Sequence, residues 1–127
     1  MTTDPQVTTG GRAAPDELYE LHARICKALA DPKRLCIINE LRDGPRSVGE
    51  IAAAVGMSQP NASQHLGILR SRGMLTRSRS GPTIYYGLRS TKIVEAVDLL
   101  RDFMADVLAA PTSDADLLEL RAADRTR

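Results

Sequence analysis

The chain has 127 residues, of which 43% are hydrophobic and 3% aromatic, and its formal net charge is +1. That length suits one domain with a marginal core, and no apolar run approaches the roughly 20 residues of a membrane span. The N-terminus lacks the basic start and apolar block of a secretory signal. Two cysteines fit a reducing compartment better than a disulfide framework. We therefore expect a cytoplasmic protein that contacts no membrane.

The charges are distributed unevenly along the chain. All 16 acidic residues lie outside positions 51–94, and the basic residues inside that segment are Arg70, Arg72, Arg77, Arg79, Arg89 and Lys92. The segment is either a chance arrangement of a solvated surface or a face that meets phosphates, where a carboxylate would repel. We favour the second interpretation.

The N-terminal region predicts an arm followed by a helix. Residues 1–15 are rich in Thr, Gly and Pro and are predicted to be disordered. A first helix is expected from Asp16 to about Ala30, because one stripe at helical spacing is apolar. The members of that stripe are Leu18, Leu21, Ile25 and Leu29.

Capping signals then predict two more helices. Asp31–Pro32 is typical of an N-cap followed by the first helical residue, and this second helix is expected to end near Gly44. The pair Ser47 and Glu50 predicts a capping box, which opens a short third helix closed by Gly56.

A fourth helix is predicted from Ser58, its N-cap, to about Arg72, with Gly73 as the stop signal. A rotation of about 100° per residue separates its side chains into two faces. The buried stripe is predicted to hold Ala62, Leu66 and Leu69. The outward face is predicted to hold Pro60, Asn61, Ser63, Gln64, Gly67, Ile68 and Ser71.

The remaining sequence predicts a hairpin and a last helix. The alternating runs "MLTRSR" and "TIYYGL" flank "SGP" and indicate two paired strands. A long helix follows from Thr91 to Ala109, and residues 111–127 are expected to form a short helix or tail. The predicted fold is mainly α, a winged helix-turn-helix with five helices and a two-stranded hairpin wing, in one domain over residues 16–110.

The polarity of the fourth helix indicates contact with DNA bases. Asn and Gln can bind adenine through two hydrogen bonds and Ser can pair with several base edges, whereas arginines at the margins suit phosphates. An ordinary exposed helix is the alternative, but Ser and Asn are weak helix formers. The predicted DNA contacts are Ser58, Gln59, Asn61, Ser63, Gln64, His65, Arg70, Arg72, Arg77, Arg79 and Thr83.

Two of these predictions have explicit alternatives. His65 lies at the boundary of the buried stripe, where it either contacts DNA or forms a hydrogen bond with a neighbouring group. No Cys or carboxylate residue lies near it in sequence, so a metal site at His65 is not expected. Arg77 and Arg79 precede the hairpin turn and suit a wing that touches the minor groove or the backbone. The alternative is a strand edge protected by charge.

Other classes of function fit less well. We find no Ser-His-Asp or Cys-His arrangement in a plausible pocket and no Gly-rich phosphate loop, which are patterns that would indicate an enzyme. A winged helix used only for protein contact or dimerisation is the main alternative, and the polar face with its acid-free surroundings disfavours it.

Three segments resemble the ArsR/SmtB family of dimeric bacterial transcriptional repressors. They are "KALADPKRLCIINEL", "SVGEIAAAVGMSQPNASQHLGILRSRGML" and "GPTIYYGL", and the resemblance spans roughly residues 18–110. It implies a homodimer joined by its first and last helices. It also implies binding of an inverted-repeat operator in double-stranded DNA, near the protein's own promoter, and release by a metal or another effector.

The resemblance fails at the inducer sites. Ser47 occupies a position where the family has a metal-binding cysteine, and serine is a poor ligand for soft metals. The family's second site uses an Asp, two His and a Glu, for which this chain has Ser90, Lys92, Phe103 and Asp106. We therefore expect no metal and no cofactor. The inducer is expected to be thiol-based or of unknown kind, or the protein has no small-molecule inducer at all.

Two cysteines are the candidate thiol sensor. Cys26 is either a small buried hydrophobic residue or one half of a switch with Cys36. Lys33 and Arg34 lie close to Cys36 in sequence, and nearby cations favour a thiolate.

Overall fold

The helices and strands were located in a computed structural model that describes residues 14–109, 118–119 and 121–123. In chain order they are α1 (Pro15–Leu29), α2 (Pro32–Glu40), β1 (Arg46–Ser47), α3 (Val48–Val55), α4 (Gln59–Ser71), β2 (Leu75–Ser80), β3 (Thr83–Leu88) and α5 (Lys92–Ala109). The predicted order of five helices and a hairpin is confirmed for this part of the chain. The predicted arm (1–15) and C-terminal segment (111–127) lie largely outside the described residues.

The chain divides into two compact units between Thr91 and Lys92. The first unit contains α1 to β3, and the second contains α5. Val94 and Val97 are the buried residues of α5, whereas Leu100 and Met104 on the same helix are exposed.

Side-chain caps begin α2 and α3 where the sequence predicts them. The Asp31 carboxylate accepts hydrogen bonds from the N–H groups of Lys33 (2.9 Å) and Arg34 (3.1 Å). The Ser47 hydroxyl accepts from the Glu50 N–H at 3.2 Å, and the Glu50 carboxylate accepts from the Ser47 N–H at 2.9 Å. These bonds from Ser47 lower the pKa of Glu50. The predicted capping box is confirmed.

The end of α2 differs from the prediction. The helix ends at Glu40, and the chain turns through residues 41–44 before it reaches β1. Gly44 has a φ of 138°, which no helix permits, and Pro45 disfavours helical backbone in the residue before it. Lys33, at the start of α2, connects this helix to α3, because its ammonium donates to the carbonyl of Val55 at the end of α3 (3.0 Å).

The boundaries of α4 are set by local bonds. The Ser58 hydroxyl accepts from the Asn61 N–H at 3.3 Å. At the other end Gly73 has a φ of 82°. The Gly73 N–H donates to the Arg70 carbonyl, and the Met74 N–H donates to the Leu69 carbonyl. This pair of bonds is the Schellman arrangement that ends a helix in a left-handed residue.

The sheet has three strands, one more than predicted. β2 and β3 pair from Leu75↔Leu88 to Ser80↔Thr83. Gly81, with a φ of 60°, and Pro82 form a two-residue turn of type II′. β1 adds to the other side of β3, so the strand order is β1-β3-β2 and β2 is an edge. The prediction of a two-stranded sheet was incomplete, because a two-residue strand has no periodicity to detect.

The core of the first unit is formed by α2, α3 and α4 together with the sheet. Its fully buried large side chains are Ile37, Ile38, Leu41, Ile51, Leu66 and Leu69. The apolar stripe of α1 behaves differently. Leu18 is 58% exposed and Leu21 is 45% exposed, and Ala28 is the buried residue of that helix.

The cap at Asp31 gives a stability test with a defined pH dependence. Partial burial raises the pKa of Asp31, but the Arg34 N–H, the Arg34 guanidinium and the Lys33 N–H lower it overall. Asp31→Ala is expected to lower the free energy of unfolding by about 1 kcal/mol at neutral pH. The stabilisation by the ionised carboxylate is complete above its ordinary pKa of 3.8. It disappears as the pH falls through the lower pKa that Asp31 has in the folded protein.

Urea unfolding at several pH values measures this difference. Asp31→Asn is the control, because its amide oxygen can cap α2 at every pH. A deficit in Asp31→Ala that stays constant down to strongly acidic pH would contradict the assignment.

Candidate nucleic-acid interface

The outward face of α4 is exposed and mostly polar, with Ile68 (38% exposed) as an apolar residue within it. Every residue predicted for it is exposed, and the buried stripe is buried as predicted. One row along this face consists of Pro60, Gln64, Gly67 and Ser71. A second exposed position, Asn61, lies one residue after Pro60 and donates only its backbone N–H to the cap. The amide side chains of this face are therefore available to a partner.

A cleft flanks the N-terminal half of α4. Its volume is about 420 Å³, and it is lined by Ser47, Val48, Gly49, Gln59, Ser63, Pro82, Thr83 and Ile84. The cleft brings Gln59 and Ser63 of α4 together with Thr83 of the hairpin. Two predicted DNA contacts on α4 and a third on the hairpin, distant from them in sequence, thus share one surface.

A second cleft flanks the C-terminal half of α4 and is rich in arginine. Its volume is about 450 Å³, and it is lined by Gly67, Arg70, Ser71, Leu75, Thr76, Arg77 and Arg89. Arg70 and Arg77 were predicted contacts, whereas Arg89 was missed. The Arg89 N–H donates to the Met74 carbonyl at 2.9 Å, which holds the end of β3 beside the end of α4. The sequence did contain a signal for Arg89 as a site residue, because Arg89 lies in the acid-free segment of residues 51–94.

The other two predicted arginines lie outside both clefts. Arg72 is the exposed C-cap residue of α4. Arg79 is exposed on β2, and its Nε donates to the Gly81 carbonyl at the turn (3.2 Å). Because β2 is the edge of the sheet, both interpretations of Arg79, a DNA contact and a guard of the strand edge, fit its position.

His65 is half-buried and bonded within the chain. Arg34 Nη1 lies 3.3 Å from His65 Nδ1. Arginine only donates hydrogen bonds, so His65 Nδ1 is the acceptor in this contact. The Nε atom of the same Arg34 donates to the carbonyl of Ala28 near the end of α1. Arg34 therefore connects the α1–α2 junction to α4, a contact that sequence reasoning did not anticipate.

The two cysteines are both free and exposed. The interpretation of Cys26 as a buried hydrophobic residue is wrong for the single chain, because α1 leaves this side chain uncovered. A thiol switch through Cys26 and Cys36 stays a prediction.

Ser47, at the position of a family cysteine, caps α3 instead. Within the described ranges, no three His, Cys, Asp or Glu side chains are grouped so that they could hold a metal ion. None of the helices in these ranges combines the length and apolar character of a membrane span.

The helix-turn-helix of α3 and α4 followed by an antiparallel hairpin defines a winged helix-turn-helix protein. Residues 31–77 match the model of the "bacterial regulatory protein, arsR family". The chain is 37% identical over 95 residues to the HTH-type transcriptional regulator Rv0081 of Mycobacterium tuberculosis, covering 74% of this chain and 83% of that protein. It is also 40% identical over 76 residues to the regulator NmtR of the same organism, covering 60% and 63% of the two chains.

Solved structures agree with this classification. The homodimeric winged helix-turn-helix DNA-binding domain Mb0332 of Mycobacterium bovis has a TM-score of 0.68 at 32% identity, over 79% of this chain and 94% of that one. The crystal structure of Rv0081 has a TM-score of 0.67 at 37% identity, over 76% and 96%. The chain belongs to the ArsR family and is a DNA-binding transcriptional regulator.

Proposed function

We propose that the protein is a homodimeric repressor that binds an inverted-repeat operator, with α4 in the major groove and the β2–β3 hairpin against the minor groove or the backbone. One observation carries this proposal. The outward face of α4 presents exposed amide and hydroxyl groups within a segment, residues 51–94, that contains no carboxylate.

The chemistry of the face suits base recognition at its centre and phosphate binding at its margins. Amide side chains offer a donor and an acceptor on one plane, which matches the exposed edge of adenine in the major groove. Guanidinium groups suit phosphates. The proposed base-reading residues are Ser58, Gln59, Asn61, Ser63 and Gln64. His65 is held by Arg34 and supports this face from its edge. The proposed backbone contacts are Arg70, Arg72, Arg77, Arg79 and Thr83.

Exposed apolar side chains support the proposed dimer. They occupy α1 (Leu18, Tyr19 and Leu21) and α5 (Leu99, Leu100, Phe103, Met104 and Leu108). Monomeric proteins rarely leave such groups uncovered. The similar domain Mb0332 is homodimeric. A twofold dimer presents two copies of α4, which reads an inverted repeat with half-sites about 34–36 Å apart.

Salt dependence of DNA binding tests this function. The wild-type protein is expected to bind a duplex selected from a random-sequence pool with two chains per duplex. The logarithm of its affinity should fall linearly with the logarithm of salt concentration, by about 0.9 for each phosphate contacted. Fluorescence anisotropy at several salt concentrations measures the slope.

Arg79→Gln serves as the companion variant and is expected to weaken binding to selected and random duplexes alike, since a phosphate contact carries no sequence information. Absence of duplex binding, or binding that salt does not affect, would contradict the proposal and favour a role in protein contact alone.

A further inference from the structure

Nothing inside the chain requires a glycine at position 67, on the outward face of α4. Four other glycines have positive φ angles, and a Cβ on Gly87 would lie 3.1 Å from Pro45 Cγ. Gly67 has a helical backbone, and a Cβ added there would meet no other described atom within 4 Å. Glycine inside a helix is destabilising relative to alanine. The space above Gly67 is therefore available to something outside the chain.

The space above Gly67 belongs to the arginine-rich cleft. Arg70 on α4, Arg77 on β2 and Arg89 after β3 line it together, and the three side chains come from separate elements. Among the described residues, none of these guanidinium groups forms an ion pair. Elsewhere in the first unit an arginine does form an ion pair, that of Arg46 with Glu40. Three like charges without a counter-charge repel one another, and a bound anion would relieve that repulsion.

We propose that this cleft binds a backbone phosphate of the DNA duplex, with Arg70, Arg77 and Arg89 as ligands and the bare backbone of Gly67 in contact with the sugar-phosphate chain. Ser71 and Thr76 line the same cleft, but their hydroxyls already donate to the carbonyls of Ile68 (2.8 Å) and Gly87 (3.4 Å). The donors left for a phosphate are therefore the guanidinium groups. The cleft opens beside Gln64, one turn before Gly67 on the same row of α4, so a strand whose bases are read by α4 would pass over it. This inference rests on the proposed function and adds Arg89 and Gly67 to the site.

Arg89→Gln tests the charge in the cleft, with Arg101→Gln as the matched control. Both variants remove one positive charge from an exposed arginine, and Arg101 lies on α5. Arg89→Gln is expected to make the slope of log affinity against log salt shallower by about 0.9 for each cleft on the duplex. The loss of affinity should be the same on selected and random duplexes, and Arg101→Gln should leave the slope unchanged. Equal slopes for Arg89→Gln and the wild type would overturn the proposal.

Gly67→Ala tests the close approach. Alanine is the better helix former, so the variant is expected to raise Tm by about 2–5 °C. The added methyl group should at the same time lower affinity for both duplexes about fivefold or more, because it fills the space that the strand needs. A variant that is more stable and binds DNA as well as the wild type would overturn the role of Gly67.

Inorganic phosphate distinguishes a duplex site from a free-anion site. At constant ionic strength, phosphate that stabilises the wild type but not Arg89→Gln, together with an unchanged DNA slope in that variant, would overturn the assignment to the duplex. Failure of the wild type itself to bind DNA would instead overturn the proposed function. Normal DNA binding by the wild type, with no effect of Arg89→Gln or Gly67→Ala, would overturn only the assignment of the cleft as a phosphate site.

Discussion

Leu66→Ala is expected to lower the free energy of unfolding by about 2–5 kcal/mol, the range measured for removing a buried leucine side chain. Leu66 is 0% exposed, and it lies between Ala62 and Leu69 on the inner stripe of α4. Alanine favours a helix, so the helix itself is not weakened by this change. The loss comes from the cavity that a buried side chain leaves in the core that α4 forms with α2, α3 and the sheet.

Urea unfolding at matched protein concentration measures this effect, since the stability of a dimer depends on concentration. The midpoint should fall while the slope m stays constant, because the change alters stability and not the surface exposed on unfolding. Gln64→Ala, two residues earlier on the exposed face, is the control and should stay within about 0.5 kcal/mol of the wild type. A similar loss of unfolding free energy in both variants would show that the inner stripe of α4 does not pack the helix into the core.

Gln64→Ala is expected to weaken binding to a selected duplex by about 1–3 kcal/mol and to leave binding to random DNA unchanged. The side chain is exposed in the middle of the outward face and has no bond within the described chain. Its loss therefore removes a base contact without disturbing the fold. Competition titrations against both duplexes measure the two affinities.

Asn61→Ala should behave in the same way, since Asn61 uses only its backbone N–H in the cap of α4. Arg77→Gln is the contrast, because loss of a phosphate ligand should weaken binding to both duplexes equally. Equal losses on selected and random DNA for Gln64→Ala would contradict its role in reading bases. Together with Leu66→Ala, these variants separate the two faces of one helix: one face affects stability, and the other affects specificity.

Local chemistry explains why the helix boundaries were predictable. The caps at Asp31, Ser47 and Ser58 each join residues two or three positions apart, so the pattern of residue types contains the whole interaction. The stop signal at Gly73 is equally local, because the positive φ of this one residue ends α4. The inner stripe of α4 followed from helical periodicity alone. The end of α2 was placed too late, since the apolar Leu41 lies after the last helical residue and is buried from a turn instead.

Contacts between distant residues were not predictable in the same way. Arg34 and His65 are 31 positions apart, and no spacing rule connects them. β1 pairs with β3 through only two residues, which is too short to leave a pattern. Arg89 belongs to a cleft with Arg70 and Arg77 because the hairpin returns the chain to the end of α4. The sequence placed all three arginines in one acid-free segment without indicating that they converge.

The sequence by itself determined the order of the five helices and the hairpin, the caps that begin α2, α3 and α4, and a fourth helix with an apolar inner stripe and an amide-rich outer face. Each of these depends on neighbours within about one helical turn. Only the tertiary structure decided which arginines share a cleft, that Arg34 connects the first helices to α4, and that Leu18 and Leu21 of the apolar stripe of α1 stay exposed in one chain. Those features depend on how separate elements pack, and packing brings together residues that no local pattern relates.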